Sequence, residues 1–284
     1  MQDWKQHKAT FASIAVSPVL WLVAFFIVPL AVVWLYSFGR NVGLTEIDIS
    51  GTFSNYGRAL EPLYLEIFGK SVAVAALTTL ICLIIGFPIA LAITFAQPKW
   101  RPWMLLAIML PFWTNLLIRT YALIAVFRTQ GYVNKILGWV GLGPYEMLYN
   151  NFAVIFGLVY VYMPFMVLPL YATIERLDKS YLEASLDLGG SQFQTFMRVT
   201  VPLTMPGIIS GIILVFIPCL GSFLTPDLLG GANALMIGNV IERQFKAAND
   251  WPFGAALSFL LMYATFGALA LRYLFTLRSK GVDV

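Results

Sequence analysis

Long apolar runs separated by short polar segments dominate the chain. A helix needs roughly 20 apolar residues to cross the hydrocarbon core of a bilayer. Six runs reach that length, at about 12–38, 71–96, 103–127, 152–174, 207–229 and 253–277. The first is far longer than the apolar core of a signal peptide and has no small-x-small cleavage site after it, so it reads as a retained helix. The pattern predicts an all-α polytopic membrane protein with six transmembrane helices, in which residues 1–284 form a single transmembrane domain.

Proline falls inside most of these runs, at Pro18, Pro29, Pro88, Pro111, Pro164, Pro169, Pro218 and Pro226. Each removes a backbone hydrogen bond that lipid cannot replace, so the freed carbonyls must face neighbouring helices or a wet cavity. Interrupted, kinked helices around a pathway are one reading; the general tolerance of membrane helices for proline is the other.

Composition sharpens the class. Of 284 residues, 60% are apolar and 11% are charged, against about 25% charged in a soluble globular domain. That excludes a soluble enzyme, intrinsic disorder, a nucleic-acid-binding protein and a disulfide scaffold. Cys82 and Cys219 lie within apolar runs as small buried hydrophobes, and the single histidine, His7, is in the polar N-terminal tail. Neither a metal site nor a His-based triad can be assembled from that material, and no catalytic residue and no cofactor of this chain are expected.

The net charge of +4 bears on topology. Lys5, Lys8, Lys99, Arg101, Arg176, Lys179, Arg198, Arg272, Arg278 and Lys280 fall on one side of the alternating spans, and Arg40, Arg58, Lys70, Arg128, Lys135, Arg243 and Lys246 on the other, ten against seven. By the positive-inside rule both termini and the 97–102 and 175–206 loops are cytoplasmic, and 39–70, 128–151 and 230–252 are external.

The 175–206 loop carries helical punctuation of its own. Ser180-x-x-Glu183 has the form of a capping box, with the Ser hydroxyl on the Glu183 amide and the carboxylate reaching back to the Ser180 amide. The short helix it starts holds Tyr181, Leu182, Ala184, Ser185, Leu186 and Asp187, and Gly189-Gly190 ends it in a left-handed turn. Ser191-x-x-Gln194 repeats the box and opens a second short helix that runs towards Pro202. Such a hairpin either folds its apolar side back onto its own helix ends or offers it to a partner.

The stretch EASLDLGGSQFQTFMRVTVP at 183–202 resembles the cytoplasmic signature of bacterial binding-protein-dependent ABC-importer permeases, an E-A-A motif with Gly six residues after the Glu and a later I-x-L-P. Glu183, Ala184, Gly189 and Pro202 match; Ser185, Val199 and Val201 are mild departures. The strings LPFWTNLLIRTYA, GLVYVYMPFMVLPLYATIERLD and PDLLGGANALMIGNVIERQF extend the resemblance to the spermidine/putrescine branch, and it is greatest to the permease usually encoded first of a pair. The resemblance implies that Ser180 to Gly189 form the coupling helix that docks on a separate ATPase. It also implies a bacterial inner-membrane complex with a second homologous permease, two ATPase subunits and a periplasmic polyamine-binding protein. ATP and Mg belong to the ATPases, and no nucleic acid is involved. Gly69-Lys70-Ser71 imitates the end of a phosphate-binding loop, but Tyr64 stands where its first glycine should be.

Polar groups inside spans cost about 2.5–3.5 kcal/mol for a central charge, so each is a functional candidate. Arg119 and Asn115 sit one turn apart in the third span beside Trp113, and Asp227 follows Pro226 near the end of the fifth. A polyamine is an apolar chain punctuated by ammonium groups, which calls for carboxylates and aromatic faces. Asp227, Trp113, Asn115, Tyr160, Tyr162 and Phe223 are therefore the candidate translocation path, although Tyr160 and Tyr162, two residues apart, point in different directions. Asp227 reads equally as a turn residue before Gly230-Gly231. Arg119 would repel a cation and is expected to be paired with an acid or with helix carbonyls, and Gly207-x-x-x-Gly211 is expected to pack helices. The acidic residues Glu46, Asp48, Glu61, Glu66, Glu242 and Asp250 mark either a docking surface for the binding protein or ordinary solvated loops. A secondary transporter, an intramembrane protease and an importer of another small solute are the alternatives. The first would need a half-to-half repeat, which is not seen, and ion-coupling acids in the membrane, for which Asp227 is the one candidate; the second lacks a histidine or paired Asp in the spans.

Overall fold

The computed structural model describes residues 8–43, 46–231 and 234–280, with side chains between 14 and 270. Both termini, with Lys5 and His7, lie outside the described residues. In chain order the elements are α1 (Lys8–Leu22), a π-helical turn (Val23–Ile27), α2 (Val28–Tyr36), β1 (Arg40–Asn41), β2 (Ile47–Asp48), α3 (Ser54–Ala59), α4 (Pro62–Phe95), α5 (Arg101–Trp113), α6 (Leu116–Phe127), α7 (Tyr132–Trp139) and α8 (Asn151–Glu175). There follow α9 (Ser180–Asp187), α10 (Gln192–Thr195), a π turn (Phe196–Thr200), α11 (Val201–Leu203), α12 (Met205–Leu220), α13 (Leu224–Gly230), α14 (Ile237–Lys246) and α15 (Trp251–Lys280). The all-α expectation holds apart from the β1–β2 pair, in which Arg40 faces Asp48 and Asn41 faces Ile47.

Four segments are continuous, long and apolar enough to cross a membrane: Ile14–Tyr36, Pro62–Phe95, Asn151–Glu175 and Trp251–Ala270. The remaining two expected spans are broken. Arg101–Trp113 and Leu116–Trp139 meet at 95°, and Gln192–Leu203 and Met205–Leu220 at 67°. The expected third span, 103–127, is therefore two helices divided at Thr114 and Asn115, and the expected fifth, 207–229, stops at Leu220. Residues 224–230 form the separate α13, so Asp227 does not lie on the fifth span. Proline does not interrupt most spans, since α4 runs unbroken through Pro88 and α8 through Pro164 and Pro169.

By packing, the chain falls into two compact units, Glu66–Asn239 and Met1–Leu65 with Val240–Val284. In the first, α8 is the hub against which α5, α6, α12 and α13 pack. Its core draws Cys82, Phe87, Ala90 and Ile93 from α4, Met166, Val167, Leu170 and Ile174 from α8, and Ile208 and Val215 from α12. Lipid tails are as apolar as leucine, so close approach has to hold such helices together. Gly207 and Gly211 provide it, as expected: a Cβ on Gly207 would strike Thr173 and the Pro169 carbonyl, and one on Gly211 would lie 2.6 Å from Met166 Sδ. Two buried threonine hydroxyls of α4 return to their own backbone, Thr79 to the Ala75 carbonyl at 2.7 Å and Thr94 to the Ala90 carbonyl at 2.9 Å. Gly69, Lys70 and Ser71 lie within α4, where Ser71 Oγ donates to the Ile67 carbonyl and accepts from the Ile237 amide.

In the second unit, α2 and α3 pack against α15. Trp34 Nε1 donates to the Tyr263 hydroxyl at 2.7 Å. Arg58 pairs with Asp250 at 2.8 Å while its guanidinium lies 3.9 Å above the ring of the buried Phe253. The Asp250 bond holds the Arg58 guanidinium above its ordinary value against the opposing effect of burial.

The candidate coupling hairpin and the helix breaks

α8 ends at Glu175, and Tyr171 Oη (2.6 Å) and Arg101 (3.5 Å) both reach the Glu175 carboxylate, tying the start of α5 to this end of the hub. After four intervening residues α9 begins at Ser180. Its cap is not the expected box: neither Ser180 nor Glu183 makes a capping side-chain bond, and Lys179 is the N-cap residue. Asp178 Oδ1 instead accepts the Ser180 amide at 3.0 Å, and this hydrogen bonding holds the Asp178 carboxyl below its ordinary range. The box fails because an acceptor two residues before Ser180 takes its amide first, leaving Glu183 exposed.

The far end of α9 follows the sequence. Gly189 has φ +85, a left-handed value that glycine adopts at no steric cost, and the Gly190 amide closes onto the Ser185 carbonyl at 3.0 Å. The second box is complete, with Ser191 Oγ accepting from the Gln194 amide at 3.2 Å and Gln194 Oε1 accepting from the Ser191 amide at 3.0 Å. Ser185 and the buried Thr195 join the two short helices at 2.9 Å.

The apolar side of the hairpin is partly folded back and partly exposed. Leu182 and Leu186 turn back over a groove of about 490 Å³, floored by Thr94 and Phe95 of α4, Ile174 of α8 and Phe196. Leu188 (89% exposed), Phe193 (71%), Tyr181 and Met197 remain uncovered. Ser180, Glu183, Ala184, Asp187 and Gly189 are also exposed, so the candidate coupling residues form one accessible knuckle.

The six candidate path residues lie on the hub and on or next to the elements that pack against it. Trp113 (72% exposed) is the last residue of α5, and Asn115 is the N-cap of α6, its Oδ1 accepting from the Leu117 amide at 2.8 Å. Asn115 thus caps a break instead of sitting within a continuous span. Phe223 is the N-cap residue of α13, and its carbonyl accepts from the buried Asn239 at 2.7 Å; Asp227 is exposed one turn further on. Tyr160 and Tyr162 diverge as their spacing requires. The Tyr160 ring lies 5.9 Å from the Arg119 guanidinium, and Tyr162 Oη donates to the Pro218 carbonyl at 3.0 Å.

Arg119 holds the α5–α6 break. It is 7% exposed and donates from Nη2 to the Thr114 carbonyl at 3.0 Å and the Phe112 carbonyl at 3.4 Å. Those carbonyls belong to the end of α5, where the helix can no longer supply donors, so the expected carbonyl pairing is met. The sequence reading missed Asp178, Thr195 and Asn239. Asp178 had a signal, an Asp two residues ahead of a helix start; the other two needed the packing.

A largely helical chain with long apolar spans, two of them broken, and a capped two-helix knuckle has an architecture found in transport-system permeases. Residues 10–278 match the family described as the binding-protein-dependent transport system inner membrane component, and the chain belongs to it. It is 46% identical over 248 residues to the spermidine/putrescine transport system permease protein PotB of Escherichia coli, covering 87% of this chain and 90% of that one. It is 44% identical over 240 residues to PotB of Haemophilus influenzae, covering 84% of each. The fold is also that of a chain in the crystal structure of a bacterial ABC transporter involved in the import of the acidic polysaccharide alginate, with a TM-score of 0.72 at 17% identity, covering 100% of this chain and 99% of that one.

Proposed function

We propose that this chain is a permease subunit of an ATP-driven importer that carries spermidine and putrescine across the bacterial inner membrane. The observation that carries the reading is its 46% identity with spermidine/putrescine permeases over 87% of its length. The chain works as one transmembrane domain beside a second homologous permease, two ATPase subunits bearing ATP and Mg, and a periplasmic binding protein. The ten-to-seven distribution of Lys and Arg supports termini and hairpin in the cytoplasm.

In this reading Tyr181 and Leu188 enter an ATPase groove, and Ser180 to Gly189 pass its closure to the helices. The hairpin is stiff enough for that role, because Asp178, the Ser191–Gln194 box and the Ser185–Thr195 bond fix both its ends. Asp227 supplies a carboxylate for cargo ammonium groups, Trp113, Tyr160, Tyr162 and Phe223 supply aromatic faces, and Asn115 a polar group; each contact stays weak so that cargo can leave.

The test is ATP-dependent uptake by the full assembly in proteoliposomes, with spermidine, putrescine and unrelated solutes in competition. Uptake of both polyamines, unaffected by unrelated solutes, is expected. Glu183→Ala, or deletion of residues 181–188, is expected to abolish ATPase association or coupling while the chain still inserts; normal coupled uptake in those variants would refute the coupling role.

A further inference from the structure

A buried arginine beside a cation pathway is an oddity that the proposed function leaves unexplained. Among the described residues no carboxylate forms an ion pair with Arg119. Its Nη2 serves the Thr114 and Phe112 carbonyls, while its Nε, also buried, has no acceptor. Pinning two carbonyls asks for neutral donors only, and an asparagine or glutamine amide would supply them without a charge. A lone charge in a membrane interior is costly and, where it persists, functional. This one sits beside Tyr160, its guanidinium carbon 5.9 Å from the ring centroid, and at the break between Trp113 and Asn115, both exposed. α5 is 13 residues long, which at 1.5 Å per residue puts the break about 20 Å along a crossing of roughly 30 Å.

We propose that Arg119 is a specificity-determining residue: its uncompensated positive charge at the α5–α6 break is a fixed electrostatic barrier that keeps small monovalent cations from leaking through the permease. A multivalent cargo is repelled more strongly at the same point, and crosses it because its several ammonium groups meet the Asp227 carboxylate and the aromatic faces in succession while the ATP-driven cycle does the work. A potassium ion carries one charge, makes no such series of contacts and is turned back. The Tyr160 face is shared between the guanidinium and arriving ammonium groups, which keeps that contact from becoming a trap. A unit charge acting across about 10 Å at an effective dielectric of about 20 changes the local occupancy of a monovalent cation about tenfold.

The inference rests on the permease reading, and the same vesicles test both. The full assembly, with its ATPases and binding protein, is reconstituted, and ATP-independent potassium efflux is measured alongside ATP-dependent spermidine uptake. Arg119→Gln, which keeps donors and removes charge, is expected to leak about tenfold more than Arg119→Lys, which keeps the charge. Should Arg119→Gln fail to assemble, Tyr160→Glu sets a carboxylate beside the guanidinium and leaves the carbonyl bonds of Arg119 in place. It is expected to leak about tenfold more than Tyr160→Gln. Equal leaks within the arginine pair, or within the tyrosine pair where that one decides, overturn the barrier. Absent spermidine uptake by the unsubstituted assembly overturns the cargo reading instead, and the leak ratios still decide the barrier.

Discussion

α8 and the α5–α6 segment present the same chemical problem and resolve it in opposite ways. α8 contains two prolines, Pro164 and Pro169, and runs as 25 continuous helical residues. The α5–α6 segment contains Pro111 and is broken three residues beyond it, with Thr114 extended and Asn115 also outside the helical region. A proline removes one donor and crowds one carbonyl, which neighbouring helices in a bundle can accommodate. Breaking a helix in lipid is far more demanding, because a whole set of terminal amides and carbonyls needs new partners. The α5–α6 segment has them: Asn115 for the Leu117 amide, the Thr114 hydroxyl for the Pro111 carbonyl at 2.7 Å, and Arg119 for the Phe112 and Thr114 carbonyls. Around its prolines α8 has a hydroxyl donor of the same kind, Thr173 on the Pro169 carbonyl at 2.8 Å, but among the described residues no side-chain cap and no returning guanidinium. The break is written in the capping residues and the returning donor, and the proline is incidental.

The largest effect would come from attacking α8 as a hub. Gly207→Val would drive methyl groups into Thr173 and the Pro169 carbonyl, and overpacking of that kind costs about 3 kcal/mol. Thermal unfolding of the detergent-solubilised chain reads it, and an unchanged midpoint would mean that α12 does not lean on α8 at this glycine.

The second experiment separates cap from proline. Spin labels at Met104 and Ile124 would lie about 30 Å apart on a straight helix and about 20 Å apart across a right-angled bend. Pro111→Ala is expected to keep the short distance, whereas Asn115→Ala, costing about 1 kcal/mol of capping, is expected to broaden the distribution towards the long one. The reverse result would restore proline as the cause of the bend.

This contrast also explains what could be read in advance. The continuous spans were legible because length and apolarity alone define a membrane helix; 152–174 differs from Asn151–Glu175 by one residue at each end. The breaks at 114–115 and 221–223 were hidden, because Thr, Asn, Gly and Ser are ordinary in membrane helices until the partner of each orphan group is known. Asp227 was placed on a continuous fifth span for that reason, although it belongs to α13. Arg119 was legible as a group in need of carbonyls because a membrane charge has few other options. In the hairpin, Gly189 and the Ser191–Gln194 box were readable from spacing alone, since each acts within four residues.

The smallest expected effect concerns the other cap, where two local acceptors compete for one amide. Asp178, fully exposed, accepts from Ser180, and its carboxyl is held below the ordinary 3.8 by that bond. A carboxyl lowered in the folded state stabilises at pH above its ordinary value, and that contribution is lost as pH falls through the lowered one. The Ser180 amide should therefore lose protection from hydrogen exchange, relative to its intrinsic rate, as the buffer is taken below 3.8. Asparagine accepts nearly as well as aspartate at such positions, so Asp178→Asn is expected to keep most of the protection at neutral pH and to lose its pH dependence. If the dependence survives in Asp178→Asn and disappears in Glu183→Gln, the Ser180–Glu183 box operates after all. In that case the hairpin would be fastened from within, and Asp178 would be a bystander at the end of α8.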